Sequence, residues 1–445
     1  MPLKREDSMQ VLNGFSKLSI TEKLDILKKH VPLESQQTGM LTAFHDNLKD
    51  LDSVIANLSE NYISNYVLPF SIAPNFRVNN KLYFVPMVTE ESSVVAAAAY
   101  AAKFWSGHGG FITTITGTKK AGQIYFTWNG DINKLQLIFP LLKEKLLVTV
   151  KQLTENMEKR GGGISEITLN QNNNRNNDYY IIDAEFETAD SMGANLINSC
   201  LETMGSELIS FISDNFDTAE NEAEVIMAIL TNYTPGCLVE SKVECDIKDL
   251  SEVSADLSPE KFASKFSQAI EIAGENISRA VTHNKGIFNG IDAVLLATAN
   301  DFRAVEACGH AWAAKDGNYG PLTSIELSKN RFIYTLRMPL SLGTVGGATS
   351  VHPMAKTALQ IMQNPSAKDL MQIAASAGLA SNFAAVRSLI TGGIQKGHMK
   401  LHLSNILTHF DATDHEKISV KEFFNGKPYS FKAISDYLNK LRKKE

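Results

Sequence analysis

Cysteine is scarce in this sequence of 445 residues, which contains only four, and no two of them form a Cys-x-x-Cys pair. A zinc site needs clustered ligands and a disulfide framework needs many regularly spaced cysteines, so the sequence predicts neither. Basic residues are not in excess, because the formal net charge is -6 at pH 7. This balance argues against a general nucleic-acid binder, whose surface would carry a basic patch.

Long apolar runs and a nucleotide fingerprint are also missing. The longest mostly apolar stretches, such as residues 94–102, are well short of the roughly 20 residues that cross a bilayer. The N-terminal segment has no apolar signal core. We therefore expect a soluble, cytoplasmic protein with reduced cysteines that binds neither membrane nor nucleic acid. The Gly-x-Gly-x-x-Gly motif of a Rossmann fold does not occur, so a nucleotide would have to bind in another way.

Hydrophobic residues make up 44% of the chain and charged residues 21%, which is ordinary for a globular protein. At this length we expect two or three domains. A strand is predicted at 81–87 and an alanine-rich helix at 92–104. Between about 112 and 230 strand and helix patterns alternate, which indicates a compact layer of sheet and helices inserted into a larger domain. These strands are predicted at 122–128, 164–169 and 179–186, and the helices at 135–157 and 194–216.

Two helix starts carry clear capping signals. Ser19 and Glu22 have the spacing of a capping box in front of a helix that runs towards His30. Ser258 and Pro259 open a long helix, because proline suits the first helical turn. An apolar stripe at helical spacing predicts the core-facing side of this helix and consists of Phe262, Phe266, Ile270, Ala273 and Ile277.

Residues 279–303 place two opposite charges around one apolar segment. Lys285 precedes the segment, and Asp301 follows its apolar run 293–297, which is typical of a buried strand or helix. Both charges are therefore expected where the chain leaves the core. A lysine beside a carboxylate can stabilise an oxyanion, whereas an ordinary Lys-Asp pair on a surface contributes little. The spacing alone leaves both interpretations open.

Glycine-rich segments and one acidic pair are further candidates. The glycines 161–163 after Arg160, and residues 190–195, would expose free backbone N–H groups to a phosphate. A plain turn with an N-cap by Asp190 explains the second segment more simply. Glu91 is either a solvated acid at a helix start or a partly desolvated carboxyl whose pKa is raised enough for acid catalysis.

The residues before His398 predict a hinge. Three glycines precede this histidine within residues 391–398, and glycine lowers the cost of changing the backbone conformation. A histidine behind such a hinge suits a proton donor that swings in when substrate is bound. His398 and His402 are four residues apart, but Met399 stands where a zinc-protease motif needs glutamate. We therefore expect no metal.

Six segments in this order are together specific. They are 85–95 (VPMVTEESSVV), 160–163 (RGGG), 190–195 (DSMGAN), 282–286 (THNKG), 300–301 (ND) and 395–399 (QKGHM). With them, the chain resembles the 3-hydroxy-3-methylglutaryl-coenzyme A (HMG-CoA) reductases, in the soluble bacterial class (class II) that has no membrane domain. The resemblance covers nearly the whole chain.

The resemblance implies that a thioester is reduced to an alcohol by two successive hydride transfers, through a hemithioacetal and an aldehyde, to give mevalonate and free coenzyme A. Lys285 would stabilise the carbonyl oxygen as negative charge builds on it. Glu91 would supply a proton, and Asp301 would connect Lys285 with Glu91 and tune their protonation. His398 would protonate the departing thiolate.

Binding residues are implied in the same way. Arg279 would pair with the carboxylate of the substrate, and Ser93, Asn232 and Asn289 would add hydrogen bonds. The nicotinamide cofactor would be lined by Asp190, Ser191, Met192, Gly193, Ala194 and Asn195. Cofactor choice depends on charge near the ribose, and both signs occur in Glu185, Glu187, Asp190, Lys151 and Arg160. We expect NADPH, with NADH as the alternative, because the chain looks most like the biosynthetic members.

The implied fold is α+β, with a large mixed α/β substrate domain, an inserted small ferredoxin-like cofactor domain that is not a Rossmann fold, and a helical C-terminal flap. We expect residues 1–112 with 231–385 to form the large HMG-CoA-binding and dimerisation domain. Residues 113–230 would bind NAD(P), and 386–445 would form the flap that carries His398. The active site would be completed across a homodimer interface.

Four residues depart from the family pattern. Ser92 stands where proline is usual, Ser191 where alanine is frequent, Ala299 where glycine is usual, and Ser381 where glutamine usually precedes Asn382. None removes a catalytic group, although the missing glutamine puts substrate affinity in question. Three alternatives stay open: mevalonate breakdown by the same enzyme, an aldolase or lyase in which Lys285 forms a Schiff base, and a coenzyme A binding protein without turnover.

Overall fold

The computed structural model describes residues 12–46, 54–58, 66–171, 179–392, 403, 406–424 and 429–442. The helices are α1 (Ile20–His30), α2 (Ser35–Asp46), α3 (Val94–Gly107), α4 (Ile132–Thr149), α5 (Lys151–Glu158), α6 (Ala194–Asn215), α7 (Pro259–Glu275), α8 (Ile277–Ala297), α9 (Phe302–Ala313), α10 (Gly347–Val351), α11 (Pro353–Ile361), α12 (Ala367–Ile390), α13 (Asp414–Phe423) and α14 (Phe431–Arg442). The strands are β1 (Phe70–Val78), β2 (Lys81–Val88), β3 (Ile112–Ile115), β4 (Lys119–Trp128), β5 (Gly163–Gln171), β6 (Tyr180–Glu187), β7 (Ala223–Thr231), β8 (Leu238–Asp246), β9 (Thr323–Leu327) and β10 (Arg331–Pro339).

The strands form three antiparallel groups in the described part of the chain. β1 and β2 form a hairpin, one sheet has the order β3-β8-β10-β9, and another has the order β5-β6-β4-β7. Antiparallel sheets combined with helices are a mixed α/β architecture, and at this coarser level the predicted fold class is confirmed.

The sheet β5-β6-β4-β7 has a hydrophobic core of its own. Along β4 and β6, buried residues alternate with more exposed ones, as expected for a sheet with one covered face. The buried side chains Ile124, Phe126 and Phe186 share a cluster with Leu142 of α4 and Leu208 of α6. Helices thus cover one face of this sheet.

The second core surrounds the long helix α12. Nearly every residue from Leu370 to Ala384 is buried, and the helix packs against α3, α8 and β8. Its length and composition would allow it to cross a membrane, but 72% of its most apolar window is buried inside the protein. Ser366 and Asp369 form a capping box at its first turn. α12 is therefore the central core helix.

Most predicted elements are present, with shifted ends. The capping box at Ser19 is confirmed, because its hydroxyl accepts from the backbone N–H of Glu22 at 3.3 Å. The helix that begins at Pro259 is also confirmed, but it ends at Glu275, and Asn276 caps a new helix, α8. Ile277 is 63% exposed, so its assignment to the apolar stripe is wrong.

Two further expectations need correction. Residues 293–297 are the last turn and a half of α8, so Lys285 lies in the middle of a helix and not where the chain leaves the core. The helix predicted at 135–157 is divided at Val150 into α4 and α5. The predicted hinge and His398 lie outside the described residues, apart from the two residues that follow α12.

Candidate active site

Lys285 and Glu91 form an ion pair between two distant parts of the chain. Lys285 points from the middle of α8, and Glu91 lies in the turn that joins β2 to α3. The lysine Nζ is 2.8 Å from Glu91 Oε2, and the two side chains are 60% and 39% exposed. The predicted partner from spacing was Asp301, whereas the carboxylate in contact is Glu91. Because this ion pair is open to solvent, a ligand can reach both of its side chains.

The turn around Glu91 has an unusual backbone. Ser93 adopts a left-handed conformation with φ 77°, which is rare for a residue with a side chain. Its hydroxyl donates to the carbonyl of Ser92, and the N–H of Glu91 donates to Thr89 Oγ1 at 3.2 Å. Strained backbone of this kind concentrates at functional sites. The turn thus fixes where Glu91 meets Lys285.

Asp301 caps the helix that follows. Its Oδ1 accepts from the N–H of Ala304 at 3.1 Å and from Arg303 Nε at 3.3 Å. Among the described residues it makes no hydrogen bond to Lys285, so its bridging role stays a prediction. Two residues earlier, Ala299 is left-handed with φ 53°. This conformation explains in physical terms why glycine would suit position 299.

Arg279 and Asn289 lie on the same helix as Lys285 but not on one face. Asn289 follows Lys285 by four residues and therefore shares its face. Arg279 lies on the side that faces His283 and Tyr334 and is partly buried, which lowers the pKa of its guanidinium. No carboxylate of the described chain forms an ion pair with it. A desolvated guanidinium without an anion is suited to an anionic ligand.

A buried polar network, which the sequence reasoning missed, holds this helix. His283 Nε2 is 2.6 Å from Thr323 Oγ1, and the Tyr334 hydroxyl donates to Asn382 Oδ1 and lies 3.1 Å from Thr323 Oγ1. The Asn382 amide donates to the His283 carbonyl at 2.7 Å. Burial, followed by the charge of Arg279, lowers the pKa of His283 to about 3, so the ring is neutral at pH 7. The network locks the rotation of α8.

Asn284 continues this locking on the next residue. Its side-chain oxygen accepts from the N–H of Leu322 at 3.0 Å, and its amide donates to the carbonyl of Gly320 at 2.9 Å and the hydroxyl of Tyr319 at 3.0 Å. The motif 282–286 therefore combines two buried positioning residues with the exposed Lys285. The only sequence signal for this role was polar residues within an apolar helix.

The segment 190–195 joins the two cores. Asp190 Oδ1 accepts from the N–H of Ala367 at 2.7 Å, the first residue of α12, and its carbonyl accepts from the N–H of Thr344 at 2.8 Å. The expectation that Asp190 caps its own helix is therefore wrong, because its carboxylate accepts the first N–H of α12, whose N-cap is Ser366. The residue that precedes α6 is Gly193, with φ 79° and no side-chain cap. The Gly193 N–H donates to Ser191 Oγ at 3.0 Å, and no side chain in the described ranges caps α6, so its first N–H groups can serve another acceptor.

Several predicted residues meet in one cavity beside this segment. Met192 and Ala194 of the segment and the predicted substrate residue Asn232 line it together. Gly343 approaches so closely that a Cβ there would be 2.4 Å from the backbone nitrogen of Met192. Lys120, which the sequence reasoning did not select, also lines the cavity. The structure thus brings the predicted cofactor segment and one predicted substrate residue together.

Comparison with known proteins decides the family. Residues 19–403 match the family model described as hydroxymethylglutaryl-coenzyme A reductase. The chain belongs to this family. It is 35% identical over 410 residues to 3-hydroxy-3-methylglutaryl-coenzyme A reductase of Archaeoglobus fulgidus, which corresponds to 92% of this chain and 89% of that protein.

Solved structures of the reductase from Streptococcus pneumoniae are similar in fold. One, a class II enzyme bound to NADPH in open conformations, has a TM-score of 0.76 at 35% identity and covers 85% of this chain and 99% of that one. Another has a TM-score of 0.78 at 33% identity, with 96% and 99% covered. The family recognised from the six motifs is confirmed, as is its activity: the chain is an oxidoreductase that acts on HMG-CoA.

The glycines 161–163 of this reductase serve a close approach of two chain segments. Gly161 and Gly163 are left-handed, with φ 82° and 132°, and a Cβ on Gly162 would be 2.3 Å from the carbonyl oxygen of Glu187 at the end of β6. The tight turn is therefore a backbone requirement. In the described ranges, no group of three or more His, Cys, Asp or Glu residues is arranged to hold a metal ion.

Proposed function

We propose that the chain reduces HMG-CoA to mevalonate and free coenzyme A with NADPH, in the biosynthetic direction. The observation that carries this assignment is the exposed ion pair between Lys285 and Glu91. It offers a fixed cation to an oxygen that becomes negative and a carboxyl group from which a proton can be delivered. Both groups are required when a thioester carbonyl is reduced to an alcohol.

Lys285 acts on the carbonyl oxygen of the substrate. Its ammonium is held in place by Glu91 and by α8, whose rotation is fixed by the buried network. Little reorganisation is therefore needed for the ammonium to stabilise the developing oxyanion. Arg279 pairs with the substrate carboxylate, for which a planar guanidinium has the right geometry. Ser93, Asn232 and Asn289 add hydrogen bonds that orient the acyl group.

Glu91 supplies the proton, and Asp301 and His398 assist. When Lys285 turns to the substrate, Glu91 is free to give a proton to the reacting oxygen or to take one from it. For Asp301 to connect the two, its side chain gives up a surface contact with Arg303, which is worth little, and the cap on the Ala304 N–H, whose loss typically costs about 1 kcal/mol. His398 protonates the thiolate of coenzyme A, which prevents its return to the aldehyde.

The segment 190–195 fits a dinucleotide in chemical terms. The uncapped N-terminus of α6, which follows Gly193, offers backbone N–H groups and the positive end of a long helix dipole to a phosphate. When bound, NADPH supplies the hydride. The reductase of Streptococcus pneumoniae that is similar in fold binds NADPH.

Cofactor choice is tested by steady-state kinetics with NADPH and NADH in parallel at saturating HMG-CoA. We expect the larger kcat/KM with NADPH. A larger value with NADH would contradict this choice and would favour mevalonate breakdown. Borohydride trapping in the presence of a ketone substrate separates the Schiff-base alternative, because a covalent adduct at Lys285 would support a lyase.

We further propose the division into domains given above, with a homodimer as the active, soluble form in the cytoplasm. Separate hydrophobic clusters around α12 and around the sheet β5-β6-β4-β7 support two units, and the apolar cluster that includes Leu407, Val420 and Leu438 supports a third near the C-terminus. Sedimentation velocity combined with activity at each protein concentration tests the dimer. Full activity in a monomer would contradict a site shared between two chains.

A further inference from the structure

Lys120 is a lysine of strand β4 whose burial calls for an explanation. It is only 5% exposed, and lysine is almost never buried unless it is paired. Its ammonium donates to the Ser191 carbonyl at 2.7 Å and to the Thr188 hydroxyl, which are both neutral. The carboxylates of Glu187 and Asp190 act on it only through space.

The two nearest carboxylates are engaged elsewhere. Glu187 Oε2 accepts from the Thr118 hydroxyl at 2.6 Å, and Asp190 Oδ1 accepts from the N–H of Ala367. The neighbouring thiol of Cys237 carries no charge at pH 7, because burial raises its pKa to about 11. The positive charge of Lys120 therefore lacks a full counter-charge in the described part of the chain.

Lys120 closes the turn that enters the cofactor segment. The turn contains Ala189 in a left-handed conformation with φ 50°. The N–H of Ser191 donates to the Thr188 carbonyl at 3.0 Å, and the Thr188 hydroxyl is 2.5 Å from the Ser191 carbonyl. The ammonium binds both oxygens at once. It therefore sets the path of the backbone that leads to Met192 and Gly193.

The same lysine lines the cavity at which the predicted binding residues meet. The cavity has a volume of about 20 Å³, room for roughly one water molecule, so a ring enters only if it widens. Its walls come from both sides of the seam between the two cores and include Lys120, Met192, Ala194, Asn232, Val305 and Ser341.

A neutral side chain could close this turn as well. Two neutral acceptors are satisfied by a neutral donor such as an amide, whereas an ammonium adds the cost of removing a charge from water. Burial accordingly lowers the pKa of Lys120. The charge itself therefore needs a purpose beyond the turn. A nicotinamide ring is electrically neutral when reduced and positive when oxidised, so a fixed cation beside it distinguishes the two forms.

We propose that Lys120 is a positioning residue of the cofactor site that holds the turn 188–191 and, through its charge, makes the site prefer the reduced nicotinamide nucleotide to the oxidised one. The inference rests on the proposed function. Two hydride transfers per HMG-CoA require the oxidised nucleotide to leave and a reduced one to enter while the intermediate stays bound. A site that binds the oxidised ring weakly speeds that exchange.

The test measures binding without turnover. Dissociation constants for NADPH and for NADP⁺ are determined by calorimetry for the wild type, Lys120→Gln and Lys120→Met. We expect the ratio of the NADP⁺ constant to the NADPH constant to fall at least about fivefold in both variants, a modest figure for two unit charges in a partly buried site. Gln retains a donor for the turn, so its NADPH affinity should stay closer to that of the wild type than that of Met.

Lys119→Met is the matched control. It removes the same charge from the preceding residue, whose ammonium pairs with Glu185 at 2.7 Å on the more exposed side of β4. Its ratio should equal that of the wild type. Thermal melting checks the fold of each variant, and Lys120→Gln alone suffices if Lys120→Met does not fold.

Two results would overturn the inference. If the variants bind both nucleotides equally more weakly, the ratio is unchanged and Lys120 has only a structural role. If both variants bind both nucleotides as tightly as the wild type, Lys120 neither holds the turn nor acts through its charge. The proposed function fails differently, since a wild type that binds neither nucleotide and does not turn over HMG-CoA would contradict it whatever the variants do.

Discussion

The ion pair between Lys285 and Glu91 contributes little to stability. Both side chains are well exposed, and exposed pairs are worth about 0–1 kcal/mol. The two groups are nevertheless held firmly. The left-handed backbone of Ser93 fixes the turn that carries Glu91, and a network of buried hydrogen bonds fixes the helix that carries Lys285. The position of the pair therefore contributes little to folding and suits the catalytic role that we propose for it.

Replacing Lys285 by alanine should abolish catalysis and spare the fold. We expect kcat to fall by at least about 10²–10³, the typical cost of losing one oxyanion donor. The melting temperature should stay unchanged, because no buried contact is lost. Lys134→Ala is the control, since it breaks a similarly exposed pair with Glu220. Retained turnover in Lys285→Ala would remove this lysine from the mechanism.

Arg279→Lys should weaken substrate binding more than catalysis. Lysine keeps the charge but cannot offer the two parallel N–H groups that suit a carboxylate. We expect KM for HMG-CoA to rise about tenfold, or roughly 1.4 kcal/mol, with a smaller change in kcat. Arg331→Lys, on a surface cluster with Glu244 and Asp246, provides the comparison. An unchanged KM would show that Arg279 does not meet the substrate.

The exposed candidate residues could be predicted from the sequence better than the buried residues that hold them in place. Glu91 and Lys285 were selected from motifs, and the structure brings them together. Thr323 and Tyr334 were missed, because their roles depend on contacts with His283 and Asn382 that are far apart in sequence. Local patterns contain no record of such contacts.

Helices α8 and α12 cross at a very short distance. Gly290 of α8 lies so close to α12 that a Cβ would be 2.2 Å from the backbone carbonyl oxygen of Ala377. Alanine-rich α12 and glycines on α8 allow this approach. Helix α8, which carries Lys285, is thereby packed directly on α12.

Gly290→Ala should destabilise the protein by about 1–3 kcal/mol, the usual cost of overpacking a core. Differential scanning calorimetry would record the change as a lower melting temperature. Gly274→Ala is matched, because Gly274 lies near the end of α7 with nothing within 4 Å of its Cβ position. That variant should be neutral or slightly stabilising. Equal melting temperatures for the two variants would contradict the close crossing.

Helices and strands that have strong local sequence signals were predicted. Elements whose type depends on contacts with other parts of the chain were not. Capping residues at Ser19 and Ser258 predicted two helix starts, and the strands β2, β4, β5 and β6 were found within a few residues. β7 is nearly continuous in apolar residues, a pattern shared by buried helices and strands. The break at Asn276 was missed because the apolar spacing runs on through it.

At the scale of the whole molecule, the C-terminal apolar cluster is accompanied by an ion pair between Glu416 and Arg442. Glu416 is buried and accepts from Arg442 Nε at 2.6 Å, which, with the Thr413 N–H, lowers its pKa to about 2. A carboxyl group whose pKa is lowered by folding stabilises the folded state at pH values above its ordinary pKa, which is 4.5 for this residue. This stabilisation is lost as the pH falls from there towards 2.

Arg442→Met should therefore be less stable than the wild type at pH 7, and the difference should vanish as the pH approaches 2. Thermal melting followed by circular dichroism at several pH values gives both curves. Lys417→Met, which breaks an exposed pair with Asp414, should follow the wild type. A difference between Arg442→Met and the wild type that stays constant across this range would exclude the proposed linkage.

The most direct test of the central claim is the stoichiometry of the complete reaction. Purified protein is incubated with HMG-CoA and NADPH, and the NADPH oxidised and the free coenzyme A released are measured in the same sample. Reduction through hemithioacetal and aldehyde predicts two NADPH oxidised for each coenzyme A released, with mevalonate as the product. Release of coenzyme A without NADPH oxidation, or no reaction from a folded protein, would contradict the assignment.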